Sequence, residues 1–191
     1  MLDLSMHILD IVQNSIEAGA TEIEIIIHEN LAQNGLTIQI EDNGRGIAKE
    51  MRDKICDPFT TSRSTRPVGL GLSLLKEAAQ RCGGEIEIQS EEGRGTKVKA
   101  FFQLDHLDRP PLGDMGETIA VLILANPRLD FRYTHQVNHC IYCLDTKIIR
   151  EILGDLPLDS SWIFDYIKRD IAQGLKNIGA ASFPKGMEVL K

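Results

Sequence analysis

Apolar residues recur at two different spacings in the first half of the chain. Residues 4–18 carry them on one side of a 3.6-residue period, which predicts a helix that ends near Gly19. Residues 21–27 and 36–42 instead alternate between apolar and polar side chains, as strands with one buried face do. A turn at Asn34-Gly35 separates these two predicted strands.

The same two patterns return further along the chain. A helix is predicted over 69–83, and a hairpin is predicted from the alternating segments 85–90 and 96–104. Before them lie a predicted short helix over 48–54 and a polar loop over 57–68. Helices laid on a mostly antiparallel sheet make an α+β fold, here a two-layer α/β sandwich.

The segment DRPPLG is the clearest domain boundary. The chain is therefore predicted to comprise a first domain over 1–107, a linker over 108–113, a small α+β extension over 114–180 and a frayed tail over 181–191. The extension's predicted elements are a helix from Asp114 that stops before Pro127, a hairpin of 130–137 and 140–144, a helix from Asp145 to Leu153, and a longer helix from Ser160 or Ser161. The β-branched residues within 119–125 leave a strand as the alternative there.

The second predicted strand ends on an acidic residue in an apolar position. Asp42 has the parity of Leu36, Ile38 and Ile40, so its carboxylate is expected to point toward the buried face. A buried carboxylate is costly without a hydrogen-bond donor, and the amino group of a ligand would serve. The turn that follows, Asn43-Gly44-Arg45-Gly46, lets the backbone come close to a neighbour.

Composition and charge exclude several kinds of partner. A net charge of −7 argues against nucleic acid, which needs a basic surface. The longest apolar run, 119–125, is far shorter than a membrane span. Acidic residues near the N-terminus stand where a signal peptide carries bases, so we expect a cytoplasmic protein.

Taken together, five short motifs resemble those of the GHKL ATPases, the superfamily of gyrase, a heat-shock chaperone, sensor histidine kinases and MutL. The resemblance covers residues 4–104, and each motif is weak alone, but their order and spacing are specific. The motifs are Asp10-Ile-Val-Gln-Asn14-Ser15 with Ala18-Gly19-Ala20-Thr21, then Asp42-Asn43-Gly44-Arg45-Gly46, Pro58-Phe59-Thr60-Thr61, Gly69-Leu70-Gly71-Leu72-Ser73 and Gly93-Arg94-Gly95-Thr96.

The resemblance implies an ATP site with magnesium. Asp42 would accept a hydrogen bond from the adenine amino group with support from Thr96, and Asn14 would ligate Mg²⁺ through its side-chain oxygen. Arg63 would neutralise phosphate charge, and the glycine-rich start of the second helix would meet the phosphates. The implied nucleotide-binding residues are Asn14, Asp42, Gly44, Gly46, Arg63, Gly69, Leu70, Gly71 and Thr96.

Asp10 is the candidate catalytic residue. It stands where hydrolytic relatives place a glutamate that orients the attacking water, and aspartate is one methylene shorter. We therefore expect slow hydrolysis, because angstrom-scale misplacement can cost about 100-fold in rate. A polar residue of the helix surface is an equally weighted alternative.

Three further features have a structural interpretation and a functional alternative. His7 is interpreted as a satisfied structural histidine, with a phosphoacceptor as the alternative. Cys140 and Cys143 are interpreted as small packing residues, with a metal or redox pair as the alternative. The apolar stripe from Ile163 to Ile178 is interpreted as internal packing, with a homodimer seam as the alternative.

Three classes of function follow. The first is a phosphotransferase or slow ATPase that acts with a separate protein, either a phosphoacceptor or a regulated protein, and lacks phosphoacceptor helices of its own. The second is a nucleotide-operated binding module with little catalysis. The third is a metal- or redox-linked protein that uses Cys140 and Cys143.

Overall fold

The computed structural model describes residues 3–48, 70–154, 158 and 160–180. Within these ranges the chain forms five helices and six strands. In chain order they are α1 (Leu4–Glu17), β1 (Glu22–Asn30), β2 (Gly35–Asp42), α2 (Leu70–Arg81), β3 (Glu85–Glu91), β4 (Gly95–Gln103), α3 (Met115–Ala125), β5 (Asp130–Val137), β6 (Cys140–Asp145), α4 (Thr146–Leu153) and α5 (Ser161–Ile178).

The six strands form one sheet in the order β3-β4-β2-β1-β5-β6. All neighbouring pairs are antiparallel except β1 and β5, which run parallel. The parallel pair follows from the chain path, because α3 carries the chain back to the starting end of β1 before β5 begins. The predicted two-layer α/β sandwich with a mostly antiparallel sheet is confirmed.

One face of the sheet carries the core. Alternate residues such as Ile23, Ile25 and Ile27 of β1 are buried there, beneath α1, α2, α3 and α5. The intervening residues, such as Gln39 and Lys99, lie on the other face, which has no helical layer among the described residues. Each strand therefore shows the period-two pattern of a sheet covered on one side.

The extension joins this sheet directly. Strand β5 pairs with β1 from Glu22–Asp130 to Glu29–Val137, and Phe131 and Tyr133 are buried in the same core. Residues 114–180 thus extend the sheet of the first part of the chain. Their separation as a domain of their own stays a prediction.

A buried polar network crosses the junction of β1 and β5. His135 Nε2 lies 2.7 Å from Glu29 Oε1, and its Nδ1 lies 2.8 Å from the Tyr133 hydroxyl. All three side chains are buried, and burial, reinforced by the Glu29 charge, raises the pKa of Tyr133 well above its ordinary value. Buried groups of this kind require specific partners, so the network fixes the register of the two strands.

Two helices of the extension begin at the residues that the sequence predicted. The Asp114 carboxylate accepts from the Glu117 N–H at 2.8 Å, so residues 115–125 are a helix and the strand alternative is wrong. Asp145 likewise accepts from the Lys147 N–H at 2.8 Å at the start of α4. Apart from residue 48, the predicted short helix over 48–54 lies outside the described residues, as do the predictions for 57–68 and 181–191.

None of the helices in the described ranges combines the length and the apolar character needed to cross a bilayer.

Candidate functional site

Asp42 is the last residue of β2, and its carboxylate points toward the buried face, as the sequence pattern predicted. The residue is 9% exposed, so its predicted inward direction is confirmed. Two donors of the chain itself meet it: the Ser15 hydroxyl reaches Oδ2 at 2.7 Å, and the Gly44 N–H reaches Oδ1 at 2.8 Å. An ionised carboxylate offers about four acceptor positions, so these bonds leave room for a donor from a ligand.

The turn after β2 is held against the junction of α1 and β1. The Asn43 side-chain oxygen accepts from the N–H groups of Thr21 at 2.8 Å and Glu22 at 3.0 Å. The Arg45 N–H donates to the Ala18 carbonyl at 3.0 Å. Because both ends of the turn are anchored, the position of Asp42 is fixed relative to α1.

The two glycines of this turn are needed for close approach to the chain itself. A Cβ at Gly44 would lie 2.9 Å from both the Ala18 Cβ and Asp42 Oδ1. Gly46 has a φ of +66°, and a Cβ there would lie 2.0 Å from the Glu91 carbonyl oxygen. The turn therefore packs closely between α1 and the β3–β4 hairpin, and this close packing explains why both positions require glycine.

Thr96 lies directly opposite Asp42 in the β2–β4 register. Its hydroxyl is 2.9 Å from the Ser90 hydroxyl, which also donates to the Gly95 carbonyl at 3.0 Å. The Ile47 N–H donates to the Ser90 oxygen at 2.9 Å, so this serine joins the turn to the hairpin. Sequence reasoning did not single out Ser90, although its parity with Ile86 and Ile88 on β3 would have indicated an inward polar group.

Helices α1 and α2 bring two further predicted residues together. A Cβ on Gly71 would lie 3.0 Å from the Asp10 Cβ and 3.5 Å from Asp10 Oδ2. Asp10 therefore lies against the first turn of α2, where the backbone N–H groups have no partner within the helix. Asn14 follows one turn later on α1 and is half-buried.

Arg63 and Gly69 lie outside the described residues, and Leu70 is described only as the first residue of α2.

His7, one turn before Asp10, differs from the sequence interpretation in one respect. It is 4% exposed, as a structural histidine would be, but its Nδ1 has no hydrogen-bond partner among the residues that the structure describes. The interpretation as a satisfied histidine is therefore wrong. Burial, together with the positive N-terminus, lowers the pKa of His7 below its ordinary value of 6.5.

The lowered pKa of His7 predicts an acid-sensitive stability. The unfolded chain binds a proton at this residue more readily than the folded chain, so the free energy of unfolding should fall as the pH drops below about 6.5. His7→Leu should flatten that part of the pH profile, measured by urea unfolding at a series of pH values. An identical profile in both proteins would contradict this prediction.

The two cysteines of β6 lie at the surface. Cys140 and Cys143 are both exposed free thiols, so their interpretation as packing residues is wrong. They stand three residues apart on β6, which directs their side chains to opposite faces. No cluster of three metal-ligating side chains occurs among the described residues.

The interpretation of the α5 stripe as internal packing is confirmed. Ile163, Ile167, Ile171 and Leu175 are buried within the chain's own core.

A comparison with protein-family models identifies the family of this site. A model described as histidine kinase-, DNA gyrase B- and HSP90-like ATPase matches residues 2–106, more than half of the chain. The chain belongs to this ATPase family. The match contains Asp10, Asn14, Asp42, Gly71 and Thr96, and the predicted membership of the GHKL superfamily is confirmed.

The relatives of this histidine-kinase-like ATPase domain include sensor kinases. Sporulation kinase D of Bacillus subtilis (strain 168) is 37% identical over 91 residues, which are 48% of this chain and 18% of that protein. A putative sensor protein of Shewanella frigidimarina (strain NCIMB 400) is 34% identical over 107 residues, which are 55% of this chain and 16% of that protein. The chain thus spans less than a fifth of the length of these curated relatives.

A solved structure shares the fold over a longer stretch of the ATPase chain. The N-terminal domain of a DNA repair protein superposes with a TM-score of 0.55 at 19% identity. The superposition covers 81% of this chain and 58% of that one, so it includes residues beyond the family match. At this identity the likeness shows the fold alone.

Ser15 carries a prediction about how Asp42 is positioned. Ser15→Ala removes the donor to Asp42 Oδ2, and a lost bond to a charged group costs about 1.5–3 kcal/mol shared between stability and ligand affinity. We expect the dissociation constant for ATP to rise several-fold in equilibrium binding. Ser5→Ala is the matched control, because Ser5 is also buried on α1 but bonds to Asp3. Equal ATP affinities of Ser15→Ala and Ser5→Ala would show that Ser15 does not position Asp42 for ATP binding.

Proposed function

We propose that the chain binds ATP with Mg²⁺ and acts as a phosphotransferase or slow ATPase together with a separate protein. The observation that supports this most strongly is the arrangement of three groups around helix α1 and strand β2, which it contacts. These are the anchored carboxylate of Asp42, the opposing Thr96, and the meeting of Asp10 with the first turn of α2.

The adenine end of the proposed site is Asp42. Its oxygens retain acceptor capacity after the bonds from Ser15 and Gly44, and the exocyclic amino group of adenine is a donor. Because the carboxylate is buried and fixed, a base that lacks this amino group would leave it facing an acceptor. This arrangement supports the proposal that the site prefers adenine to a purine with a carbonyl oxygen at that position.

The phosphate end of the proposed site lies where α1 faces α2. The N-terminal turn of α2 presents backbone N–H groups that have no partner within the helix, together with the positive end of the helix dipole, and both favour phosphate. Asn14 offers an amide oxygen, a hard ligand suited to Mg²⁺, one turn beyond Asp10. Bound Mg²⁺ would neutralise charge on the phosphates, while Asp10 supplies a carboxylate beside the same helix end.

Either of two reactions fits the carboxylate at Asp10. In phosphotransfer, a nucleophilic side chain of the acceptor protein attacks the γ-phosphorus, the bond to the β–γ bridging oxygen breaks, and ADP leaves. In hydrolysis, water is the nucleophile, and Asp10 must orient it and accept its proton. The alternative function is a binding module that closes on ATP with little chemistry. The presence of aspartate where hydrolytic relatives have glutamate favours this alternative too, because the shorter side chain is expected to make hydrolysis slow.

A radiolabel experiment tests the catalytic part of this proposal. The protein is incubated with [γ-³²P]ATP and Mg²⁺, alone and with proteins that co-purify with it, and compared with Asp42→Asn. We expect a labelled acceptor or slow release of labelled phosphate from the wild type only. ATP binding without either product would favour the binding module, and absence of ATP binding would contradict the proposal as a whole.

A further inference from the structure

The two edges of the sheet differ in charge. Strand β3 forms one edge and carries the carboxylates of Glu85, Glu87 and Glu91. Strand β6 forms the other edge, and its residues 140–144 read Cys-Ile-Tyr-Cys-Leu without a single charge. Edge strands normally carry charges, proline or bulges that prevent pairing with another chain, but β6 carries only one charge, that of Asp145 at its last position.

The outer side of β6 presents free backbone groups. A two-residue turn at Asn138-His139, with Asn138 at a φ of 51°, closes the β5–β6 hairpin on the Val137–Cys140 pair. An antiparallel ladder that begins with this hydrogen-bonded pair directs the N–H and C=O of Ile141 and Cys143 away from β5. No described strand lies beyond them, and the Ile141 side chain is 60% exposed.

Helix α5 carries an exposed aromatic flank above the same edge. The Tyr142 ring of β6 lies against Gly174, and its hydroxyl donates to Asp170 at 2.6 Å. The flank of α5 that contains Asp170 therefore faces the β6 edge. Tyr166 and Trp162 precede Asp170 at four-residue spacing on that flank, and they are 55% and 50% exposed.

We propose that β6 pairs antiparallel with β6 of a second copy of this chain, about a twofold axis normal to the sheet. Such an axis places both helical layers on the same side, so the aromatic flanks of the two α5 helices meet above the paired strands. The outward N–H and C=O groups of Ile141 and Cys143 are satisfied across the seam by those of the partner strand.

A second copy fits this edge better than a charged partner. Each chain carries a net charge of −7, so two copies meet most favourably where few carboxylates face each other. The Asp170 carboxylate on the neighbouring flank of α5 accepts a hydrogen bond from Tyr142 of its own chain. Residues 140–144 meet that requirement, whereas two β3 edges would oppose rows of glutamates. The half-exposed Tyr166 and Trp162 each leave roughly 100 Å² to be buried, so four such rings contribute roughly 400 Å² of apolar area in addition to the strand pair.

The oligomeric state of the full chain tests this proposal. Sedimentation equilibrium from about 1 to 100 μM should show a reversible dimer of the wild type, in the affinity range of ordinary protein pairs. Ile141→Lys places a charge on the edge, and Cys143→Pro removes an N–H that points away from β5, so neither breaks the hairpin's own ladder. Both should weaken dimerisation about tenfold or more.

Leu107→Lys is the matched control, because Leu107 is almost fully exposed and remote in sequence from β6. It should dimerise like the wild type, and far-ultraviolet circular dichroism should show that all variants are folded. A wild type that remains monomeric at the highest concentration would overturn the proposal. A dimer that both edge variants leave unchanged while folded would overturn it as well.

Discussion

Asp42→Asn should weaken ATP binding by about 1.5–3 kcal/mol, which corresponds to about 10- to 100-fold in the dissociation constant. The fold should survive, because the asparagine oxygen can still accept from the Gly44 N–H and its amide can donate to the Ser15 hydroxyl. What is lost is the negative acceptor for the adenine amino group, and the amide presents a donor in its place. Isothermal titration calorimetry with ATP and Mg²⁺ measures the change.

The neighbouring acid supplies the control for this prediction. Glu41 precedes Asp42 on β2 but points to the opposite face, where it forms an ion pair with Lys97. Glu41→Gln removes one negative charge from the same strand, so it should leave the ATP affinity unchanged. An Asp42→Asn protein that binds ATP as tightly as Glu41→Gln would show that Asp42 does not contact the base.

Asp10→Glu should accelerate ATP hydrolysis, by up to about 100-fold if the present carboxylate falls short of the water by one methylene. A general base must come within about 2.6–3.2 Å of the water that it activates, and glutamate reaches further without a change of charge. Asp10 already lies against Gly71 at the start of α2, so the added reach extends along the proposed phosphate end of the site. Phosphate release under saturating ATP measures the effect.

ATP affinity should hardly change in Asp10→Glu, because a base touches the water and not the adenine. Asp165→Glu, the same substitution at an exposed position of α5, should leave hydrolysis at the wild-type rate. If Asp10→Glu binds ATP normally and hydrolyses it no faster, Asp10 is not a general base whose carboxylate is too far from the attacking water. If Asp10→Ala also retains phosphotransfer, Asp10 has no chemical role.

The period-two pattern predicted the inward direction of Asp42, because parity along a strand fixes which face a side chain occupies. The donors to Asp42 were harder to predict. Ser15 approaches from α1, 27 positions away in sequence, and only the packing of helix on sheet brings the two together. Sequence periodicity describes one element at a time and contains no information on such a contact.

The attachment of the extension has the same explanation. Alternation predicted β5 and β6 as a hairpin, but it could not show that β5 pairs in parallel with β1. The alternating pattern shows which side chains of a strand are buried, and it contains no information on which strand lies next to it in the sheet. The helix over 115–125 was ambiguous because its β-branched residues suit a strand, and the Asp114 cap decided the outcome locally. Cys140 and Cys143 were misjudged because their burial depends on the edge position of β6, which a strand pattern does not reveal.

The most direct measurement is the relative affinity of the wild type and Asp42→Asn for ATP and ITP in the presence of Mg²⁺. ITP carries a carbonyl oxygen where ATP carries the amino group, and it keeps the same ribose and phosphates. The wild type should prefer ATP by about tenfold or more, because the carboxylate would face an acceptor in ITP. The preference should vanish or invert in Asp42→Asn, whose amide can donate to that oxygen. Equal affinity of the wild type for ATP and ITP, or an unchanged preference in the variant, would contradict a nucleotide site built on Asp42.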